Sequence, residues 1–319
     1  MILKDRHILF HLLTMLSLSM ILTFVIIMMV ICMKHIFILR PDTHRELVSQ
    51  IVTLMQGRQY ELCYTKDIDD AKTIASRYND CFELCRIYAI GGDGFVHKVA
   101  NGMIGGHNEL VVIPQGTGND FARSIYSSLD PFQILKNSLE LKAHPVDIIQ
   151  CRDDLYCINV FCCGLDAEVG NIVNVSKRDI QFLPRPLHYS YAILDKIFHL
   201  KFYSTQIYKD DTCLFNGDVV ICAFCNGQYF GGGYLIGYQS KNDDGFIDIS
   251  VIGDISKKEL PRYVKALFTN KLNKTKKYQH FCERYVTVKT SQYVNIDGEM
   301  YDPGTYHLKC LHNMLQLVC

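Results

Sequence analysis

The sequence predicts an α/β + β fold, an N-terminal doubly wound α/β domain followed by a mostly antiparallel β-sandwich domain. Three observations predict it. After Lys34, short apolar runs alternate with stretches of helical period. Two of the turns that follow those runs are rich in glycine, at Gly91–Gly94 and Gly116–Gly118. Beyond about Asp147 the helical stretches thin out and β-rich segments dominate. A length of 319 residues fits two domains at roughly 150 residues each. With 49% apolar and 21% charged residues, the chain has the makings of a packed core and lacks the polarity of a disordered one. Lys+Arg and Asp+Glu are 33 each, so there is no overall basic field and nucleic acid is excluded as an expected partner.

The elements follow in order. Leu12–Met33 is a run of 22 uncharged residues that would span about 33 Å as a helix, enough to cross a bilayer. It is expected to be an N-terminal transmembrane anchor over residues 1–33, and the flanking charges lean towards a cytoplasmic C-terminal side. The alternative is an over-long start, with Met33-Lys34 opening a cytosolic domain. Ile36–Leu39 reads as the first strand, ending at Arg40-Pro41. Thr43 with Glu46 makes a capping box before Leu47, Val48, Ile51, Leu54 and Met55. Tyr60–Tyr64 is a second strand, Asp69–Tyr78 a second helix, Arg86–Ile90 a third strand and Leu110–Ile113 a fourth. Strands spaced by helices pair in parallel through right-handed crossovers, which puts ligands at the C-terminal ends of the strands.

From residue 148 to 319 the expected strands are Tyr156–Phe161, Phe202–Tyr208, Val219–Phe224, Phe246–Ile252, Tyr285–Lys289 and Tyr306–Leu311. Helices are expected at Tyr189–Leu200 and Lys257–Asn270, and the extreme C-terminus is free to return to the first domain, residues 34–147. Lys271–Lys277 reads as a solvated basic loop. The 14 cysteines fall singly or as neighbours inside apolar runs, so they read as small buried hydrophobes of a reducing compartment. Cys222 and Cys225 share one apolar strand, where core packing outweighs a zinc or redox role.

The chemistry concentrates in the glycine turns. In Gly91-Gly92-Asp93-Gly94, three glycines let the backbone approach a phosphate, and the following helix start presents free amides. Asp93 would repel phosphate unless a cation intervenes, which suggests a magnesium-bound nucleotide. The competing reading is a tight turn whose Asp caps the next helix. In Pro114-Gln115-Gly116-Thr117-Gly118-Asn119-Asp120, Thr117 can donate to a phosphate, while Asn119 and Asp120 can hold metal or cap a helix. Two such turns after successive strands point to one phosphate cradle.

The segments GGDGFVHKVANG and IPQGTGNDFAR resemble the diacylglycerol kinase catalytic-domain family, in its bacterial soluble lipid kinase branch, related to sphingosine and ceramide kinases and to NAD kinases. Val146-Asp147, Cys163–Glu168, Tyr229–Gly233, Asn242–Phe246 and Asn295–Glu299 extend the resemblance over nearly the whole chain from Ile36. The resemblance implies transfer of the γ-phosphoryl of ATP to a lipid hydroxyl, with Mg2+, most simply diacylglycerol to phosphatidic acid. The alternatives are a sphingoid-base or ceramide kinase and a catalytically impaired regulatory homologue. By the same analogy Gly91, Gly92, Asp93, Gly94, Phe95 and His97 wrap the phosphates, Gly116, Thr117, Gly118, Asn119 and Asp120 complete the cradle, and Thr65 lies near the nucleotide. One of Asp297 and Glu299 is the base that takes the lipid hydroxyl's proton; by itself Asp297-Gly298 reads as a hairpin turn. Asp244 with the backbone oxygens of Lys241 and Phe246 matches a structural magnesium loop. The implied partners are ATP and a membrane lipid, with a homodimer allowed for, and the implied location is the inner face of the membrane. Three departures stand out. Arg40-Pro41-Asp42-Thr43 lacks the glycine usual in the first loop, and Phe95 and His97-Lys98 replace the usual threonine and Asn-Glu. A P-loop or protein-kinase route is not indicated, because neither signature is present.

Overall fold

A computed structural model describes residues 33–164 and 203–319, apart from residues 68, 82 and 257. The expected helix at Tyr189–Leu200, the motif residues Leu165–Glu168 and all but the last residue of the Leu12–Met33 stretch lie outside the described residues.

The N-terminal half runs β1 (Lys34–Leu39), α1 (Arg45–Leu54), β2 (Tyr60–Tyr64), α2 (Asp70–Ser76), β3 (Cys85–Gly91), α3 (Asp93–Met103), β4 (Glu109–Pro114), α4 (Asp120–Ile125) and α5 (Pro131–Ser138). The strands pair in parallel in the order β2-β1-β3-β4. Both faces of the sheet are covered, which is why β1 is apolar from Ile36 to Leu39 and β3 from Ile87 to Ile90. Alternate residues serve opposite layers. Ile36, Ile38, Ile87 and Ala89 pack with Ile74 of α2 and Val96 and Val99 of α3, whereas Phe37, Leu39, Tyr88 and Ile90 pack with Ile51 of α1 and Leu135 of α5. The capping box is not formed. His44, with no side-chain cap bond, precedes α1, and the Thr43 hydroxyl is buried without a partner.

The C-terminal half contains β5 (His144–Arg152), β6 (Leu155–Cys157), β7 (Val160–Gly164), β8 (Tyr203–Lys209), β9 (Thr212–Cys225), β10 (Tyr229–Phe230), β11 (Tyr234–Leu235), β12 (Ile247–Gly253), α6 (Leu260–Phe268), β13 (Tyr278–Glu283), β14 (Tyr285–Thr290), β15 (Val294–Ile296), β16 (Glu299–Tyr301) and β17 (Gly304–Leu317). Pairing along β16-β15-β7-β9-β8-β14-β17 is antiparallel throughout. The end of β17 leaves this order and pairs in parallel with β4, Gln316 opposite Glu109. The expected single strand Tyr156–Phe161 is broken into β6 and β7, because the amides of Ile158, Asn159 and Val160 turn to one carboxylate, that of Asp297.

The expected location, catalytic domains held at the inner face of a membrane by an N-terminal helix, is corrected. No helix among the described residues is long and apolar enough to cross a membrane. The 11 residues of α3 rise about 16 Å, half of the hydrocarbon thickness.

Candidate active site

Gly92 and Gly116 bring the two glycine turns into backbone contact at the C-terminal ends of β3 and β4. A Cβ on Gly116 would lie 2.5 Å from the Gly92 Cα and 2.8 Å from Asn119 Oδ1. Gln115 N donates to Gly91 O at 2.8 Å. Only residues without a Cβ permit two main chains this close. Asn119, in the left-handed region at φ 53°, closes the second turn on itself. Its Oδ1 accepts from Gly116 N at 2.8 Å and its Nδ2 donates to Gly116 O at 2.9 Å. Thr117 is exposed at the tip.

Asp93 and Asp120 face the same glycine. A Cβ on Gly118 would meet Asp93 Oδ2 at 3.0 Å and Asp120 Oδ2 at 3.2 Å. Asp93 Oδ1 accepts from Phe121 N at 3.1 Å, so it caps the helix after the other turn, not its own. Asp120 Oδ2 accepts from Gly232 N at 2.8 Å, while Oδ1 is buried without a partner among the described residues. Burial, then the Asp93 charge, pushes Asp120 up to about 7. Burial, and then the charge of Asp297, also holds Asp93 above the ordinary carboxylate range, against the Phe121 N–H, which lowers it. A carboxylate pair, Asp120 buried and Asp93 half-buried, with an orphaned oxygen has the donor chemistry of a site for a hard divalent cation.

The acid pair near the C-terminus divides. Asp297 and Gly298, at φ 51° and 98°, form the turn between β15 and β16. Asp297 is buried, and its oxygens accept from Ile158 N (2.8 Å), Asn159 N (2.9 Å), Val160 N (3.1 Å) and Cys157 Sγ (3.2 Å), with His97 Nδ1 at 2.9 Å. Glu299 is half-buried, and among the described residues no hydrogen bond or ion pair engages its carboxylate. It lies across the first glycine turn, its Oε1 at 2.7 Å from where a Cβ on Gly94 would stand.

Other expected site residues sit differently. Phe95 is 3% exposed and packs in the α/β core over Gly91, whose Cβ would lie 2.6 Å from that of Phe95. His97 is 1% exposed and faces the C-terminal half through both ring nitrogens. Thr65 is buried at the end of β2, its N–H on Leu39 O. The Lys241–Phe246 loop lies apart from the turns. Asp244 Oδ1 accepts from Phe246 N at 3.0 Å and Asp147 Oδ2 from Gly245 N at 2.6 Å. Burial, followed by the charges of Asp248, Asp147 and Asp243, raises Asp244, which again suits a cation.

Sequence reasoning missed three contributors. Arg123 extends from α4 between the glycine segments, with Nη2 at 3.4 Å from Gly118 O and Nε 3.2 Å from where a Cβ on Gly233 would be. Its Nε is buried and unpartnered. Asn101 ties α3 to β6, donating to Tyr156 O at 2.8 Å. Tyr301 places its hydroxyl 3.5 Å from His97 Nε2. Arg123 was visible within IPQGTGNDFAR and Asn101 within GGDGFVHKVANG; Tyr301 carried no local signal.

The chain is similar to known proteins over both of its halves. Residues 41–151 match the model of the diacylglycerol kinase catalytic domain, and residues 159–319 match the YegS C-terminal NAD kinase beta sandwich-like domain. A Shewanella frigidimarina protein named "Probable lipid kinase YegS-like" is 30% identical over 244 residues, 73% of this chain and 76% of that one. A Pseudomonas fluorescens protein of the same name is 27% identical, covering 67% and 69%. A diacylglycerol kinase crystal structure from Bacillus anthracis superposes with a TM-score of 0.70 at 19% identity, over 90% of this chain and 96% of that one. An NAD kinase from Archaeoglobus fulgidus in complex with ATP gives 0.50 at 11% identity, over 90% and 94%. Those two likenesses establish the fold, an α/β half joined to a β-sandwich-like half. With both domain models matched in order, and a relative of 30% identity covered over three quarters of its length, the chain belongs to the YegS-like lipid kinases of the diacylglycerol kinase catalytic-domain family.

Proposed function

We propose that this lipid kinase transfers the γ-phosphoryl group of ATP to the free hydroxyl of diacylglycerol, giving phosphatidic acid. The observation that carries the reading is that Glu299, whose carboxylate has no hydrogen-bond or ion-pair partner among the described residues, lies directly across the glycine turn at Gly94. Residues 34–147 then form the ATP half and residues 148–319 the lipid half.

The amides at the start of α3 and the backbone of Gly116–Gly118 hold the phosphates, with Thr117 at the exposed tip donating to them. Glu299 accepts the proton of the lipid hydroxyl as that oxygen bonds to the γ-phosphorus. The bond from phosphorus to the β–γ bridging oxygen breaks, and ADP carries away that electron pair. Asp297 is not suited to this step, since amides, a thiol and an imidazole already occupy its oxygens. Asp93 and Asp120 would hold Mg2+, which neutralises charge on the phosphates when bound. Asp244, with the carbonyls of Lys241 and Phe246, would hold a second, structural ion.

The test is phosphorylation by the full chain with γ-labelled ATP and Mg2+ of diacylglycerol, a sphingoid base and ceramide in mixed micelles. Label in diacylglycerol supports the reading, label in the sphingoid base or ceramide moves the substrate to that class, and label in no lipid overturns it.

A further inference from the structure

Helix α3 and the β15–β16 hairpin meet through side chains on both sides of Glu299. His97 lies three residues after Gly94, so the two share a face of α3. Glu299 and Tyr301, two residues apart on a strand, project to the same side. The result is a paired register, with Glu299 over Gly94 and Tyr301 beside His97. Because the Asp297 carboxylate accepts, His97 Nδ1 donates in their 2.9 Å contact, and Nε2 at the other end of the ring meets Tyr301 OH at 3.5 Å. The turn of α3 that carries the ring is tied to β6, since Asn101 Nδ2 donates to the His97 main-chain carbonyl at 2.9 Å and to that of Tyr156 at 2.8 Å. The Asp297 end is fixed independently by the three amides of residues 158–160.

We propose that His97 is a positioning residue for the transfer step, a two-point clamp that joins Asp297 and Tyr301 to helix α3 and so keeps the Glu299 carboxylate, two residues from each, over the glycine turn. The proposal rests on Glu299 being the base of the reaction above. It makes His97 act through the hairpin, with no contact to the nucleotide.

The test uses three variants of the full chain. His97→Phe keeps a ring of similar bulk and removes both nitrogens, His97→Gln keeps a donor and an acceptor, and Tyr301→Phe removes the hydroxyl alone. Hydrogen exchange of the peptide covering residues 294–302 reads the clamp without any need for activity. Exchange there is expected to rise in His97→Phe, to rise less in Tyr301→Phe and to stay near wild type in His97→Gln, with β1 unchanged in all three. In the kinase assay His97→Phe is expected to lower kcat by about tenfold to a hundredfold while KM for ATP stays within about twofold, because a misplaced base costs rate and not nucleotide binding. His97→Gln should recover most of that loss. Unchanged exchange at the hairpin in His97→Phe overturns the proposal, as does wild-type kcat in that variant, which is what a ring that merely packs would give. If the wild-type chain phosphorylates no lipid, the proposed reaction falls, and the exchange experiment still decides the clamp.

Discussion

Replacing Asp120 by Asn is expected to stabilise the metal-free protein above neutral pH while removing most of its activity. Asp120 is held at about 7 in the folded chain against 3.8 ordinarily, so the folded protein binds this proton more tightly than the unfolded one. Its stabilising contribution is therefore complete below about pH 4 and is lost as pH rises through about 7. The difference of about 3 units corresponds to at most about 4 kcal/mol by pH 8. Asn keeps an acceptor for the Gly232 N–H, made at 2.8 Å in the parent, and carries no charge to repel Asp93. Urea unfolding in EDTA at pH 5 and pH 8 measures both limbs. The variant should unfold at a higher midpoint than the parent at pH 8 and should lack the parent's loss of stability between the two pH values. With Mg2+ and ATP, its turnover should fall by about a hundredfold, as expected for loss of a group that neutralises phosphate charge. A variant that is less stable than the parent at pH 8, or that keeps the parent's pH slope, would refute the assignment of a destabilising buried charge at Asp120.

Three further outcomes are expected. Glu299→Gln should retain the parent's unfolding midpoint and lose about 10²–10⁴ in kcat, the range for a general base, checked by labelled phosphate transfer at saturating ATP. Gly94→Ala places a methyl where Glu299 Oε1 now lies 2.7 Å away; displacing the carboxylate should cost about tenfold or more in kcat, and an unaffected kcat would mean that Glu299 is not held there during transfer. Asp297→Ala strips the acceptor from three buried amides and should destabilise the chain by roughly 3–5 kcal/mol. Asp297→Asn, which keeps one acceptor oxygen and tolerates a positive φ, should lose clearly less, as compared by thermal unfolding.

Wherever one strand or turn carries its own signal, the fold was legible in the sequence. Tyr60–Tyr64 was expected residue for residue, and β1, β3 and β4 were expected to within two residues at each end. Buried parallel strands must be continuously apolar, and glycine must recur where backbones approach a ligand or one another. Boundaries failed where a distant partner intervened. The break between β6 and β7 exists because Asp297, more than 130 residues away, draws three amides out of the ladder. The capping box at Thr43 did not form, because His44 precedes the helix and the Thr43 hydroxyl is turned into the interior, without a partner among the described residues.

The candidate site shows the same division. The sequence determined which residue types were available: two glycine turns after successive strands, the acids within them and an Asp-Gly-Glu near the end. Tertiary structure alone decided their placement. It set Gly92 against Gly116, faced Asp93 to Asp120, enclosed Asp297 in amides and left Glu299 without a partner among the described residues across Gly94. Residue type and periodicity report what a segment of chain does by itself. Whether a carboxylate ends as a fixed anchor or a free base depends on desolvation and on donors brought from the other half of the chain, and those exist only once the halves have packed.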